Sequence, residues 1–166
     1  MSKARTAGGK GTPATVAATQ AGIEFTLHPY ETDPDADSYG EAAADALGIP
    51  HDQIFKTLVA EVDGALTVAV VPVAATLDLK ALAAAAGGKK AQMADPHTAE
   101  RTTGYVLGGI SPLGQRRRLP TVIDGSVSGL ATVYVSAGRR GLQIELSPAD
   151  LIVLTGARTA EIARRY

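Results

Sequence analysis

The clearest hydrophobic pattern in the chain is a pair of β-rich runs, residues 55–62 and 65–73, separated by Asp63-Gly64. Asp-Gly supplies the left-handed backbone that a two-residue hairpin needs, so the spacing predicts an antiparallel pair. Elsewhere apolar stretches alternate with cap signals. Thr12 followed by Pro13 opens a helix that should stop at Gly22, and 23–27 then reads as a strand. Asp33, Pro34, Asp35 and Asp37 form an acidic turn, after which Ser38, with Glu41 three residues on, announces a helix over 42–47 closed by Gly48. Asp78 should cap a helix through Leu79, Leu82 and Ala86, ended by Gly87-Gly88. A brief strand is expected over 89–93, and Asp95-Pro96 begins a short helix to Thr103, stopped by Gly104. Residues 121–123, 132–136 and 142–146 read as strands, and Ser147-Pro148 with Asp150 caps a last helix through Leu154.

Hairpins are frequent and regular βαβ alternation is missing, so the expected class is α+β with a mixed, mainly antiparallel sheet and short flanking helices. No internal repeat or interdomain linker breaks the pattern. At 166 residues and 45% hydrophobic content the chain can bury a real core, read as one domain over residues 12–166 behind a disordered lead-in, residues 1–11. The lead-in carries Lys3, Arg5 and Lys10 but lacks the apolar core of a signal peptide. No window approaches the roughly 18 apolar residues of a membrane span. With no cysteine, disulfides, thiolate metal sites and an enzyme-borne thiol nucleophile are excluded. The expectation is a soluble cytoplasmic protein with no membrane partner.

Net charge is only −1, but it is unevenly spread. Residues 31–63 hold nine acids and a single base, Lys56, whereas from Arg116 onward there are eight arginines and four acids. A basic face of this kind suits a polyanion, and it equally suits a solvated surface. Standard catalytic sets are missing. His28, His51 and His97 are widely spaced and lack a zinc-site pattern, so no metal is expected. Ser111 and Ser136 do not lie in a G-x-S-x-G elbow, and no glycine run forms a nucleotide fingerprint, so no cofactor is expected. Two features stand out. Lys56 opens a strand within the acidic third, where it is either an edge lysine or a cation held against a wall to bind an oxygen ligand. Gly108-Gly109, in Thr103 to Gly114, is either a tight turn or a backbone segment that approaches a ligand and aims its amides inward.

Taken in order, Thr12-Pro13-Ala14, His28-Pro29-Tyr30, Asp33-Pro34, Tyr39-Gly40-Glu41, Leu47-Gly48, Phe55-Lys56-Thr57-Leu58, Leu77-Asp78-Leu79-Lys80, Met93-Ala94-Asp95-Pro96, the Gly108 loop, Tyr134-Val135-Ser136, Arg140-Gly141-Leu142 and Ile144-Glu145-Leu146 resemble the YbaK family of Cys-tRNA(Pro) deacylases. That family is related to the editing domain inserted in bacterial prolyl-tRNA synthetases. The resemblance implies a compact editing fold with a pocket for the aminoacylated 3′ end of tRNA. It implies that Lys56 anchors the terminal adenosine or its neighbours, and that the backbone of Gly108 and Gly109 positions the aminoacyl carbonyl. Tyr30, Tyr39, Thr57, Ile110, Ser111, Pro112, Ser136, Gly138 and Gln143 are carried over as substrate-binding positions. Gln143 stands where some relatives have aspartate, and Ala137 where the turn usually has glycine.

The implied reaction is hydrolysis of Cys-tRNA(Pro), in which the substrate's own thiol attacks the ester carbonyl. This suits a chain without a nucleophile of its own, because a free thiol titrates near ~8.5 and even its minor thiolate fraction outcompetes a serine hydroxyl. Two alternatives stay open: water-mediated deacylation of Ala-tRNA(Pro) or another small aminoacyl ester, and a non-catalytic module that binds tRNA or a synthetase. Arg116, Arg117, Arg118, Arg139 and Arg140 are the candidates for RNA phosphate contacts. The expected partners are aminoacyl-tRNA and, transiently, prolyl-tRNA synthetase; no DNA is expected.

Overall fold

The computed structural model describes residues 11–33, 35–36 and 38–165. Pro34 and Asp37 of the acidic turn, and residues 1–10 of the expected lead-in, lie outside the described residues. The frame is the 55–72 hairpin, β2 (Phe55–Val62) and β3 (Ala65–Pro72), paired in register from Phe55 opposite Pro72 to Val62 opposite Ala65. Asp63 and Gly64 adopt φ of 50° and 86°, the left-handed pair of a two-residue hairpin turn. The Asp63 carboxylate then accepts from the amides of Lys89 and Lys90 at 3.0 Å each, which brings β5 (Ala91–Met93) onto the outer edge of β2.

On its other side β3 pairs in parallel with β6 (Thr121–Asp124), which pairs in parallel with β9 (Arg158–Ala160). The five-stranded sheet is therefore mixed, in the order β5-β2-β3-β6-β9. A second, antiparallel sheet orders β1 (Phe25–Pro29), β8 (Leu142–Leu146) and β7 (Val133–Arg139) as β1-β8-β7. The two sheets meet where Tyr134 N–H donates to Gln53 O at 3.0 Å, beside the bridge between Ile54 and Tyr134. A two-stranded ribbon joins β4 (Ala75–Leu77) to β10 (Ala163–Arg165).

Alternation along β3 explains its near-continuous apolar sequence. Val68 and Val70 face the main core with Phe25, Ile123, Val135 and Ile144, while Ala69 and Val71 face a second core with Leu82 and Ile162. Each fully buried valine contributes about 1.5–3 kcal/mol to the burial term. Helix α3 (Leu79–Ala85), capped by Asp78, covers the second core. A third cluster sets α2 (Tyr39–Leu47) against the end of β3, with Ala43 and Ala44 packed on Ile54, Val73 and Tyr134. Helices α1 (Pro13–Gln20), α4 (Pro96–Thr103) and α5 (Pro148–Thr155) begin at the Thr12, Asp95 and Ser147 caps, each followed by proline.

Most predicted elements form, with three differences. Strand β1 starts at Phe25 rather than 23, because Ile23 N–H still returns to Ala18 O of the helix end. Helix α2 starts at Tyr39, directly after its Ser38 cap, and Ser38 Oγ accepts from Glu41 N–H at 3.3 Å. Strands β4, β9 and β10 were not expected: each has three residues, and their sequences carry no alternation long enough to read.

Their anchor is Asp124. One carboxylate oxygen accepts from the amides of Ile162 and Ala163 at 3.0 Å each, and the other from Ser126 N–H and Oγ–H at 3.2 and 2.6 Å. Burial pushes this carboxyl up, and the bonds from Ser126, Ile162 and Ala163 outweigh it, leaving it below the ordinary carboxylate value. Its stabilising contribution is therefore present above the unfolded-state pKa and lost as pH falls through the lower folded-state value. Asp124→Asn, which turns a donor toward these donors, is expected to cost about 2–3 kcal/mol in urea unfolding at pH 7, and the deficit should shrink on acidification. A constant deficit from pH 7 to 3 would contradict this role.

Candidate functional site

Where the two sheets and α2 converge, a cavity of about 220 Å³ opens to the surface. Its floor is the start of β2, with Phe55, Lys56, Thr57 and Leu58. Tyr30, just after β1, and Tyr39, the first residue of α2, form one wall. Ser136 of β7 and Gln143 of β8, the strand that pairs with β1, also line it, together with Leu107, Gly108 and Ile110. The α2 wall sits close because Gly40 has no side chain: a Cβ there would lie 2.8 Å from Val73 Cγ2.

Three polar groups of this cavity have no protein partner among the described residues. Lys56 is half-buried and forms no ion pair or hydrogen bond. Burial lowers its pKa below the ordinary 10.5, and the charge of nearby Glu41 works in the other direction. Thr57 Oγ1 and Gln143 Oε1 are buried without a hydrogen bond. An unpartnered buried polar atom costs about 1–3 kcal/mol, so the two buried atoms, Thr57 Oγ1 and Gln143 Oε1, beside a half-buried cation make this hollow the candidate polar-ligand site.

The loop at the rim is set by backbone contacts. Gly109 lies flat on the β7–β8 hairpin, where a Cβ would stand 2.9 Å from both Arg139 Cα and Arg140 N. Its N–H donates to Val106 O at 2.9 Å and its carbonyl accepts from Ser136 Oγ–H at 3.0 Å. Gly108 has φ of 85°, and its N–H forms no hydrogen bond among the described residues. Of the two glycines carried over, Gly108 thus lines the cavity with its N–H unbonded among the described residues, while Gly109 is not a lining residue and packs on the hairpin.

Lys56, Thr57, Tyr30, Tyr39, Gly108, Ile110, Ser136 and Gln143 therefore share one cavity. The other expected positions stand elsewhere, each for a local reason. Ser111 is fully buried, its Oγ accepting from Leu113 N–H in a side-chain turn. Pro112 turns to a separate cavity of about 280 Å³ between α1 and α5, which contains neither Lys56 nor the glycine loop. That second hollow shows no unpartnered buried polar atom among the described residues. Gly138, at φ of 107°, builds the bulge that shifts register between Ser136 and Arg139, and its N–H donates to Ser136 Oγ.

The arginines also separate. Arg117 and Arg139 are exposed without an ion pair among the described residues, and Arg116 donates to Arg101 O. Arg118 borders the second cavity over the end of α5. Arg140, also exposed, makes intramolecular contacts: Nε and Nη2 donate to Leu107 O at 2.9 and 2.6 Å, and its guanidinium lies 4.4 Å from the Tyr39 ring centroid. The sequence reading missed Ser38, Gly40, Glu41 and Leu107 as site residues. Ser38 and Glu41 carried a readable signal, the cap that places the first turn of α2 at the cavity.

Comparison with known proteins identifies the family. Residues 33–154 match the model of the aminoacyl-tRNA editing domain. A curated relative from Enterococcus faecalis, EbsC, named as a candidate Cys-tRNA(Pro)/Cys-tRNA(Cys) deacylase, is 44% identical over 128 residues, covering 75% of this chain and 77% of that protein. A solved structure of a candidate trans-editing enzyme for prolyl tRNA synthetase superposes with a TM-score of 0.79 at 25% identity, covering 92% of this chain and 95% of the other. The hypothetical protein APE2540 superposes with a TM-score of 0.80 at 25% identity, over 92% and 99% of the two chains.

The backbone contact at Gly109 gives a direct test. Gly109→Ala should lower stability by about 1–3 kcal/mol in urea unfolding, since the opposing atoms are backbone and cannot rotate away. Gly129→Ala, where a Cβ meets nothing within 4 Å, should change it by less than about 0.5 kcal/mol. Equal effects at the two positions would contradict the account.

Proposed function

Because the chain belongs to the aminoacyl-tRNA editing domain family and is an aminoacyl-tRNA deacylase, we propose that its substrate is mischarged Cys-tRNA(Pro), cleaved in trans with help from the substrate's thiol. The observation that carries this reading is the cavity's content: one cation, two unpartnered polar side chains and a free backbone amide, with no nucleophile paired to a base among the described residues. Of the two serines lining the cavity, Ser38 caps α2 and Ser136 donates its proton to Gly109 O and accepts from Gly138 N–H, so both hydroxyls serve the structure. About 220 Å³ suits a small aminoacyl group with the edge of its ribose.

In this reading Lys56 binds an oxygen of the terminal nucleotide and holds the ester over the cavity. Gly108 N–H receives the carbonyl oxygen as negative charge develops on it. Thr57 Oγ1–H donates to the aminoacyl end, and Gln143 Oε1 accepts from its amino group. The cysteine thiol loses its proton to solvent, sulfur bonds to the ester carbon, and the C–O bond to ribose breaks. The released ribose oxygen takes up a proton, and water then opens the cyclic thioester to free cysteine. Substrate choice follows from chemistry rather than size, since alanine and serine have no thiol.

Specificity for tRNA(Pro) would come from a transient complex with prolyl-tRNA synthetase, a reading supported by the likeness to the candidate trans-editing enzyme. Exposed Arg116, Arg117 and Arg139 are the proposed phosphate contacts, with Arg118 further from the rim. The proposed setting is the cytoplasm; among the described residues no helix is long and apolar enough to cross a membrane.

With purified protein, Cys-tRNA(Pro) should be deacylated at least about 10²-fold faster than Ala- or Ser-tRNA(Pro), and Lys56→Ala should lose about 10²-fold or more in kcat/KM. Equal rates on the three esters would instead favour activated water. The enzyme-dependent rate should rise with pH toward the thiol's ~8.5. It should turn down before pH 10.5, because Lys56 loses its charge below the ordinary lysine value. A rate still climbing through pH 10.5, after subtraction of spontaneous hydrolysis, would contradict the role of the Lys56 charge.

A further inference from the structure

The Arg140 side chain ties three parts of the pocket together. It springs from the β7–β8 hairpin, it donates twice to Leu107 O, and its flat face covers Tyr39 at the head of α2. The fit is close on every side: a Cβ on Gly108 would lie 2.6 Å from Arg140 Nε and 2.7 Å from Tyr39 Cδ2. Leu107 O and Gly108 N–H belong to one planar trans peptide and point in opposite directions. Whatever fixes that carbonyl therefore fixes where the Gly108 amide is aimed. A cation at the carbonyl also polarises the peptide and strengthens the amide as a donor.

We infer that Arg140 is a positioning residue for deacylation: it clamps the Leu107–Gly108 peptide so that the free Gly108 N–H faces the cavity. The inference rests on the proposed reading, in which that amide receives the carbonyl oxygen. It assigns to Arg140 an intramolecular task in place of RNA binding. Lysine cannot substitute. A guanidinium directs two N–H groups at one oxygen while laying a planar face on an aromatic ring, whereas an ammonium is a point charge. Two further bonds hold the loop on either side, Leu107 N–H to Glu100 Oε2 at 2.9 Å and Gly109 N–H to Val106 O, but neither touches the Leu107 carbonyl that Arg140 grips.

The test is Arg140→Lys in the full chain, with two readouts. In steady-state deacylation of Cys-tRNA(Pro), kcat should fall about 10- to 100-fold with KM changed less than about threefold, and the salt dependence of KM should match wild type. In amide hydrogen exchange without substrate, residues 105–110 should exchange faster while the melting temperature moves by less than about 3 °C. Wild-type kcat with a raised KM and a shallower salt slope would make Arg140 a phosphate contact and overturn the inference. Unchanged exchange over 105–110 would overturn it as well. If wild-type protein leaves Cys-tRNA(Pro) intact, the substrate assignment falls, and the exchange experiment still decides whether Arg140 holds the loop.

Discussion

The cavity exists because two stretches of backbone touch. Gly109 lies against Arg139 and Arg140 at a distance that admits no side chain, and that contact places the neighbouring peptide at the rim. From there the remaining parts follow: Gly108 turns through a left-handed φ, its N–H is left without a partner, and Ser136 reaches across to Gly109 O. An enzyme that supplies geometry in place of a reactive side chain needs its backbone donors fixed in advance. A donor that must be reorganised during the reaction stabilises little. Glycine is the residue that permits such an approach, at the cost of chain entropy offset by the packing around it.

The five-stranded sheet gives this loop something rigid to stand on. The β2–β3 hairpin is buried on both faces, so Lys56 emerges from a strand whose neighbours cannot shift to accommodate it. It stays half-buried and shares the cavity with Thr57 Oγ1 and Gln143 Oε1, two buried atoms whose missing hydrogen bonds cost stability. That local cost is characteristic of a binding site: the groups left unsatisfied are those that a ligand completes.

Much of the fold was legible because its signals are local. The Asp63-Gly64 turn, the Thr12, Ser38, Asp78, Asp95 and Ser147 caps, and the left-handed glycines at 22, 48 and 104 act within a few residues of themselves. The short strands β4, β9 and β10 were not, since their existence depends on Asp124 capturing the amides of Ile162 and Ala163 nearly forty residues away. The candidate site divides in the same manner. Lys56 could be singled out as a lone base in an acidic third, and the paired glycines as a possible close approach. Sequence could not separate Gly108 from Gly109, because the difference lies in which amide Val106 O takes. Nor could it show Ser111 turning inward, or the Arg140 side chain lying over Tyr39.

The central claim is that the bound substrate carries the nucleophile and the protein carries only the means to aim it. The most direct measurement compares Cys-tRNA(Pro) with its S-methylated form at equal, saturating enzyme under single-turnover conditions. The account predicts that methylation abolishes enzyme-dependent release while binding persists, because a thioether cannot form the new bond to the ester carbon. Comparable release from both substrates would contradict it and place an activated water in the cavity instead.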